Sequence, residues 1–384
     1  MARIAVAAFD CGSDGSDGAL AFSAGTSATL NFDPATVISG RVLDADGDGV
    51  YNFTSISIPA NVTLRFPADK SGWSPIYFLS QGDVIIEGKL NFSGAKGHDA
   101  STTVIGDFSI PGSGGSPGSI GRVSALDFDG VYAPDVPNNN YFLYPFYGGD
   151  GGSYNSSYDF TSGAGAGGGA LLLASNTKIT VNGSLLFNGG DAGAKLALPP
   201  AGKTSHQSYA GDGGAARLIA PVFNGSGLLS AAAGASTYGS GTKGCFRVES
   251  GTYGFTGTVV CNWMRSVALI PSAVYGLPTS AQSKPAKARL VRIGGIDVPA
   301  KPTGLFTIPD VIMNSNTDVL FEIEASNIPV GTTFRIYLWN ESNQMNSYTS
   351  EASTGTEASS VAIKSITVPN GYSRCFVTAD WTNP

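Results

Sequence analysis

The first stretch whose residue types and spacing suggest chemistry is Asp44-Ala-Asp46-Gly-Asp48-Gly49. Three carboxylates at alternate positions, with glycine for a sharp turn, can wrap a hard cation such as calcium, and Asn52 stands close enough to add an oxygen. The pattern departs from the EF-hand loop. Ser55 occupies the place of its terminal Glu, and a strand follows instead of a helix. A simple acidic turn between Val42 and Tyr51 is the plainer reading of these residues. The second concentration is aromatic: Tyr141, Tyr144, Tyr147, Tyr154 and Tyr158 crowd one glycine-rich stretch. Tyrosine offers a large contact area with a polar tip at low entropic cost, which suits ligand recognition. Its alternative is a loop folded back with its rings buried.

Other catalytic patterns lack their context. His98 and His206 are the only histidines, so a histidine triad or zinc site has little to draw on. Gly114-Gly-Ser116-Pro-Gly118 matches the nucleophile-elbow pattern, but it lies in glycine-rich sequence with proline after the serine. Gly163–Gly168 and Gly239–Gly244 both match G-x-G-x-x-G. Each leads into a strand, which offers no helix N-terminus for a pyrophosphate, so both read as loop glycines. Paired carboxylates remain open as acid–base groups. Asp127 and Asp129 share a strand face, and Asp99, Asp135, Asp150, Asp159, Asp191 and Asp212 are spread nearby. A glycosidase needs two carboxyls at a defined separation, which sequence does not give. No catalytic residue is assigned, and no cofactor is implied beyond calcium.

The four cysteines, Cys11, Cys245, Cys261 and Cys375, form no CxxC pair, which removes zinc ribbons and redox motifs. Cys245 and Cys261 lie about one coil apart, and a disulfide between them is left open. Cys375 alternates in phase with Val377 and Ala379 and reads as a buried thiol.

The elements that must position these residues are strands. In Gly168–Gly190, three short apolar runs are separated by Ser-Asn-Thr and Asn-Gly-Ser, and Ile179, Val181, Leu185 and Phe187 share one side. The same strand–turn–strand phrase recurs at Phe78–Gly94, Leu218–Ala231 and, more faintly, Phe246–Gly257. A repeated unit that cannot bury its own face indicates a solenoid, here with uneven spacing and loops let into it. The expected fold is all-β: a parallel β-helix over residues 41–283 with long loop insertions at 95–167 and 191–213, leaving the coil side by side. Residues 1–40 read as an N-terminal cap or attachment region. Residues 284–384 read as a β-sandwich, from spaced alternating strands at Asp318–Ala325, Thr333–Trp339, Ser360–Val368 and Cys375–Trp381.

A net charge of −7 argues against a general nucleic-acid binder, and no apolar run reaches the length of a membrane span. At 13% charged residues, roughly half the usual share, the surface must be largely neutral and hydrogen-bonding, as in extracellular or virion β-proteins. Met1–Phe9 is short for a signal peptide, and an ordered Met1 would imply a tethered terminus.

At Gly82–Gly94 and Ser175–Gly193 the chain resembles glycine-rich right-handed parallel β-helix proteins, an architecture found in bacterial surface or secreted proteins and phage tailspikes. The resemblance spans about Tyr51–Val260, and the C-terminal part looks like an immunoglobulin-like module. Pectin-active enzymes share the architecture, but the outward rung positions here are mostly Asn, Ser, Thr and Lys, so no catalytic residue carries over and the expected protein is non-enzymatic, structural or adhesive: a virion component (tailspike, fibre or decoration protein) or a surface adhesin. Such a protein would present its Tyr/Asn-rich flank to a cell-surface glycan or to other virion or surface proteins. By analogy it would assemble as a trimer or larger homo-oligomer. The alternative is a polysaccharide-degrading glycosidase or lyase with a cleft between the insertions.

Overall fold

The computed structural model describes residues 9–23, 26–38, 40–45, 49–126, 148–154, 156–267, 287–299, 302, 309–315, 317–340, 345–371 and 373–379. The expectation of a tethered Met1 lies outside them.

The described chain is all-β apart from a single helical turn at Ala68–Ser71 and a 3-10 turn at Ser124–Leu126. It advances in passes. The first lays down β1 (Gly18–Ala21) and β2 (Ala28–Asn31); the second, β3 (Val50–Ile58) and β4 (Val62–Arg65). The third gives β5 (Ile76–Ser80), β6 (Val84–Ile86) and β7 (Lys89–Asn91). After a short β8 (Phe160–Thr161), the fourth gives β9 (Ala170–Ser175), β10 (Lys178–Val181) and β11 (Ser184–Leu186). A short β12 (Ser205–His206) precedes β13 (Ala215–Gly225) and β14 (Leu228–Ser230), followed by β15 (Cys245–Phe255), β16 (Thr258–Val260) and β17 (Trp263–Val267).

Every pairing among these strands is parallel. On one sheet β1, β3, the pair β5/β6, the pair β9/β10, β13, β15 and β17 follow one another. On the second the order is β2, β4, β7, β11, β14, β16. Stacking therefore begins before residue 41, because β1 and β2 already pair with the strands of the second pass.

Register turns the alternation of the sequence into rows. Leu30, Leu64, Leu90, Leu185, Leu229 and Val259 lie opposite one another along the second sheet. Two residues after the first four leucines stand Phe32, Phe66, Phe92 and Phe187, all fully buried and stacked ring on ring. Facing them on the first sheet are Tyr51, Phe78, Leu173, Leu218 and Val248. Burying each such side chain stabilises by about 1.5–3 kcal/mol, so the rows supply the main favourable term of this half.

The connections expected as loop insertions are packed in part, while 194–204 stays an exposed loop with Leu198 91% exposed. Gly163–Gly169 runs through the middle of a glycine-rich layer, and its N–H groups point in turn at three neighbours. Those of Gly163, Ala166 and Gly169 donate to the carbonyls of His98, Ala95 and Phe92 at 2.8, 3.0 and 2.8 Å. Those of Ala164, Gly167 and Ala170 donate to Ser119, Ser116 and Ser113, and those of Gly165 and Gly168 to Tyr209 and Asp212. A period of three, with no bond inside the segment, is the pattern of the polyproline II conformation. Segments 95–97 and 190–193 touch directly, through Gly97 N–H to Asp191 O at 2.9 Å. Small residues are obligatory here: a Cβ on Gly165 would lie 1.8 Å from Gly190 O, and one on Gly167 1.8 Å from Gly149 O.

The outer face of the first sheet carries a second apolar cluster of Phe9, Cys11, Val50, Leu79, Leu172, Ala174 and Ile219. The chain at 11–13 is fastened over it: Cys11 N–H donates to Asn176 Oδ1 at 2.6 Å and Ser13 Oγ to Phe53 O at 2.9 Å. On the same face Arg217 and Arg247, in register on adjacent strands, both donate Nε–H to Glu249 Oε1 at 2.8 Å. Glu249 is fully buried. Replacing it by alanine leaves two guanidinium groups buried without their shared carboxylate, so Glu249→Ala is expected to cost about 3 kcal/mol. The check is a denaturant midpoint that falls without a change of slope.

The C-terminal part has its own core. β18 (Lys287–Ile293), β19 (Ile296–Asp297), β20 (Val319–Ser326), β21 (Phe334–Asn340), β22 (Met345–Thr349), β23 (Thr354–Thr356), β24 (Ser359–Ile366) and β25 (Ser373–Ala379) form two antiparallel sheets. Their orders are β19-β18-β20-β24-β23 and β22-β21-β25. Phe321 and Ile323 from one and Phe334, Ile336 and Leu338 from the other share one buried cluster, with Cys375 partly buried against it.

Candidate functional site

Short pairing between β12 and β8 sets Ser205 opposite Phe160 and His206 opposite Thr161. Asp159 tightens this junction. Its carboxylate accepts Lys203 Nζ at 2.9 Å, and Thr204 N–H and Oγ1 at 3.0 Å each. The outcome is a ring stack: Tyr158 lies on His206 with centroids 4.6 Å apart and planes 28° apart.

A third pass adds to it. Thr237 donates its N–H and hydroxyl to Gln207 Oε1 at 2.9 and 2.7 Å, and Ser236 Oγ donates to Ser208 O at 2.6 Å. These bonds hold Tyr238 edge-on to both His206 (4.9 Å, 77°) and Tyr209 (4.8 Å, 77°). Tyr209 is built into the glycine layer through its backbone, with N–H to Ser153 O at 2.9 Å and its carbonyl accepting Gly165 N–H. Its ring lies over Gly239, where a Cβ would stand 2.5 Å from two ring carbons. Tyr209 and Tyr238 nevertheless stay 39% and 40% exposed. Four rings from three separate stretches thus form a held, open ledge.

Of the tyrosines picked out in sequence, Tyr158 is in the ledge. Tyr154 is buried at 4% exposure and acts in packing. Tyr141, Tyr144 and Tyr147 lie outside the described residues. His206 is half-buried and sits at the ledge centre. His98 stays exposed, with its ring beside Gly106. Tyr209 and Tyr238 were not singled out as ligand residues, because only the fold brings them together with His206.

The acidic loop shows its described half only, since Asp46 and Asp48 lie outside. Both Asp44 carboxylate oxygens accept the Gly49 N–H, at 3.1 and 3.0 Å, as in an acidic turn. The backbone N–H groups of Asp44 and Asn52 go to Asp17, at 2.7 and 2.6 Å. Burial pushes the Asp17 carboxyl up in spite of these two bonds. Among the described residues no three metal-ligating side chains gather.

Ser116 is buried in the glycine layer, its N–H on Gly149 O and its carbonyl under Gly167 N–H. No disulfide joins the four cysteines, and burial, with Cys261 nearby, pushes Cys245 up to about 12. A shallow hollow of about 400 Å³ between Ser93, Lys96, Asn188, Asp191 and Ala232 has one carboxylate, Asp191, which accepts the Ala235 N–H. Lys96 holds Asp99 below the usual carboxylate range, helped by the Ala194 N–H.

Lys203 above all holds Asp159 at about 2. A carboxyl lowered from 3.8 contributes stability above pH 4 that is lost as pH falls towards 2. Asp159→Asn is therefore expected to melt slightly below the parent at pH 7, with the gap closing between pH 4 and 2. A gap that persists at pH 2 would assign the effect to something other than ionisation. Among the described residues no helix is long and apolar enough to cross a membrane. Compared with family models, curated proteins and solved structures, the chain matches none.

Proposed function

We propose that this chain is a parallel β-helix with a C-terminal immunoglobulin-like sandwich, acting as a non-enzymatic structural and adhesive protein. Its place is on a virion, as a tailspike, fibre or decoration protein, or on a cell surface. Stacked parallel passes, each adding a rung to two sheets, support the coil. The observation that carries the adhesive reading is the ledge: rings fixed by backbone and side-chain bonds yet left open to solvent. Rigid exposed aromatics lose little freedom on binding, which is the economy of recognition surfaces.

The polysaccharide-cleaving alternative asks for two carboxyls across a groove, one kept protonated. Among the described residues, Asp99 and Asp159 are instead held ionised by lysines, and the hollow described above offers Asp191 alone; Asp127, Asp129 and Asp135 lie outside the described residues. The test is mass and shape in solution by light scattering and negative-stain imaging, alongside a reducing-end assay on polysaccharides. A trimer or larger regular assembly with no new reducing ends is the expected result. Release of reducing ends by the purified chain would sink the reading.

A further inference from the structure

We propose that the ledge of Tyr158, His206, Tyr209 and Tyr238 takes a neutral glycan, one pyranose ring seated in the corner between Tyr238 and Tyr209. This rests on the adhesive reading and names its ligand class.

The shape comes first. Tyr238 stands at 77° to both His206 and Tyr209, so the rings present an open corner and not a slot between parallel planes. A flat nucleobase binds by stacking on a ring face. A pyranose chair instead presents an apolar C–H face and a rim of hydroxyls. Its polarised C–H bonds meet the negative face of a tyrosine, and its rim meets the polar tips and the Gln207–Thr237 edge.

Charge is the second argument. Two cations stand beside the ledge: Lys203 is matched by Asp159 at 2.9 Å, and Arg122 donates Nη1–H to the carbonyls of Ser156 and Tyr158 at 3.0 and 3.5 Å. A carboxylated sugar or a phosphate would have to draw these cations from the partners they hold and approach a chain of net charge −7. A neutral ligand faces neither cost.

The third is rigidity. The 236–238 loop is bonded to 207–208, Tyr209 is fastened by its backbone, and Tyr158 follows the Asp159 junction. The surface is set before the ligand arrives, so little of the stacking energy is spent on ordering it.

Affinity electrophoresis tests this with the full chain in native gels containing a galactomannan, a mixed-linkage glucan, polygalacturonate or single-stranded DNA. The parent is expected to be retarded by at least one of the two neutral glycans. Tyr238→Ala should weaken that retardation by about tenfold in apparent Kd. Gly239→Ala should weaken it too, because the new Cβ displaces the Tyr209 ring and not a backbone. Tyr238→Phe should keep most of it. Both weakening changes are at the surface, so unchanged thermal midpoints separate lost binding from lost fold.

Equal retardation of the parent, Tyr238→Ala and Gly239→Ala overturns the ledge and leaves the adhesive reading standing. Retardation by polygalacturonate or DNA alone overturns the neutral ligand, as does no retardation in any gel. New reducing ends in a neutral-glycan gel, absent with Tyr238→Ala, would uphold the ligand while overturning the non-enzymatic reading.

Discussion

Gly165→Ala is expected to abolish the folded state, and Gly167→Ala to do the same. Each adds one methyl group. In either case the methyl carbon would stand 1.8 Å from a carbonyl oxygen of a neighbouring segment, Gly190 O or Gly149 O. Those oxygens belong to backbone that is itself hydrogen-bonded into the layer, through Gly190 N–H to Ala166 O at 2.7 Å and Gly149 N–H to Gly168 O at 2.7 Å. Moving them breaks bonds on several segments at once. The loss should exceed about 4 kcal/mol, a large part of the 5–15 kcal/mol that holds a typical domain together. Gly202→Ala is the control. Its φ of +72° strains a side chain, but no atom lies within 4 Å of the new Cβ. That change should cost only about 1 kcal/mol. Soluble Gly165→Ala protein melting like Gly202→Ala would refute the close packing of the layer.

Phe92→Ala is expected to cost about 3–5 kcal/mol. Its ring is fully buried, 4.0 Å from Phe66 at 5° and 4.8 Å from Phe187 at 11°. Both neighbours are fixed by their own strands, so neither can slide into the hole. The upper end of the row is different. Phe187 meets Phe246 edge-on at 5.6 Å, where the next position of the row is Ala231. A second aromatic from the facing sheet thus already fills that space. Phe92→Leu keeps most of the volume and should lose less than half as much. Denaturant midpoints for the two variants decide it, and equal midpoints would mean that the row can collapse.

Much of the strand architecture was legible because apolar alternation sorts side chains between core and solvent. Ile56, Ile58, Val62, Leu64 and Phe66 share a parity and are all buried. The pair Leu30-Asn-Phe32 carries the same phrase as Leu90-Asn-Phe92, which placed the start of the stack earlier than residue 41 for a reader who followed it. The glycine layer was not legible in that way. Its bonds join backbones far apart in sequence, and its side chains have no apolar period to read. Its clearest trace is Ser162–Gly169, a run of nothing larger than alanine or serine, which marks close approach on every side. Arg217, Arg247 and Glu249 sit at alternate positions on apolar strands, which marks a buried charge cluster only once register pairs them. The ledge needed three stretches brought together, and Tyr158 alone could not announce Tyr209 or Tyr238.

The central run from Gly163 to Gly169 bonds to chain that precedes it, at 92–98 and 113–119, and to chain that follows it, at 190–193 and 209–212. It holds no bond within itself, so nothing short of the finished bundle can keep its shape. Such a segment is a late arrival in folding, because long loops must close before it gains anything. The same enclosure works in reverse. Interactions absent from the transition state slow unfolding without speeding folding. The lifetime of the folded protein should accordingly be set by a slow escape rate, measurable as resistance to protease over days.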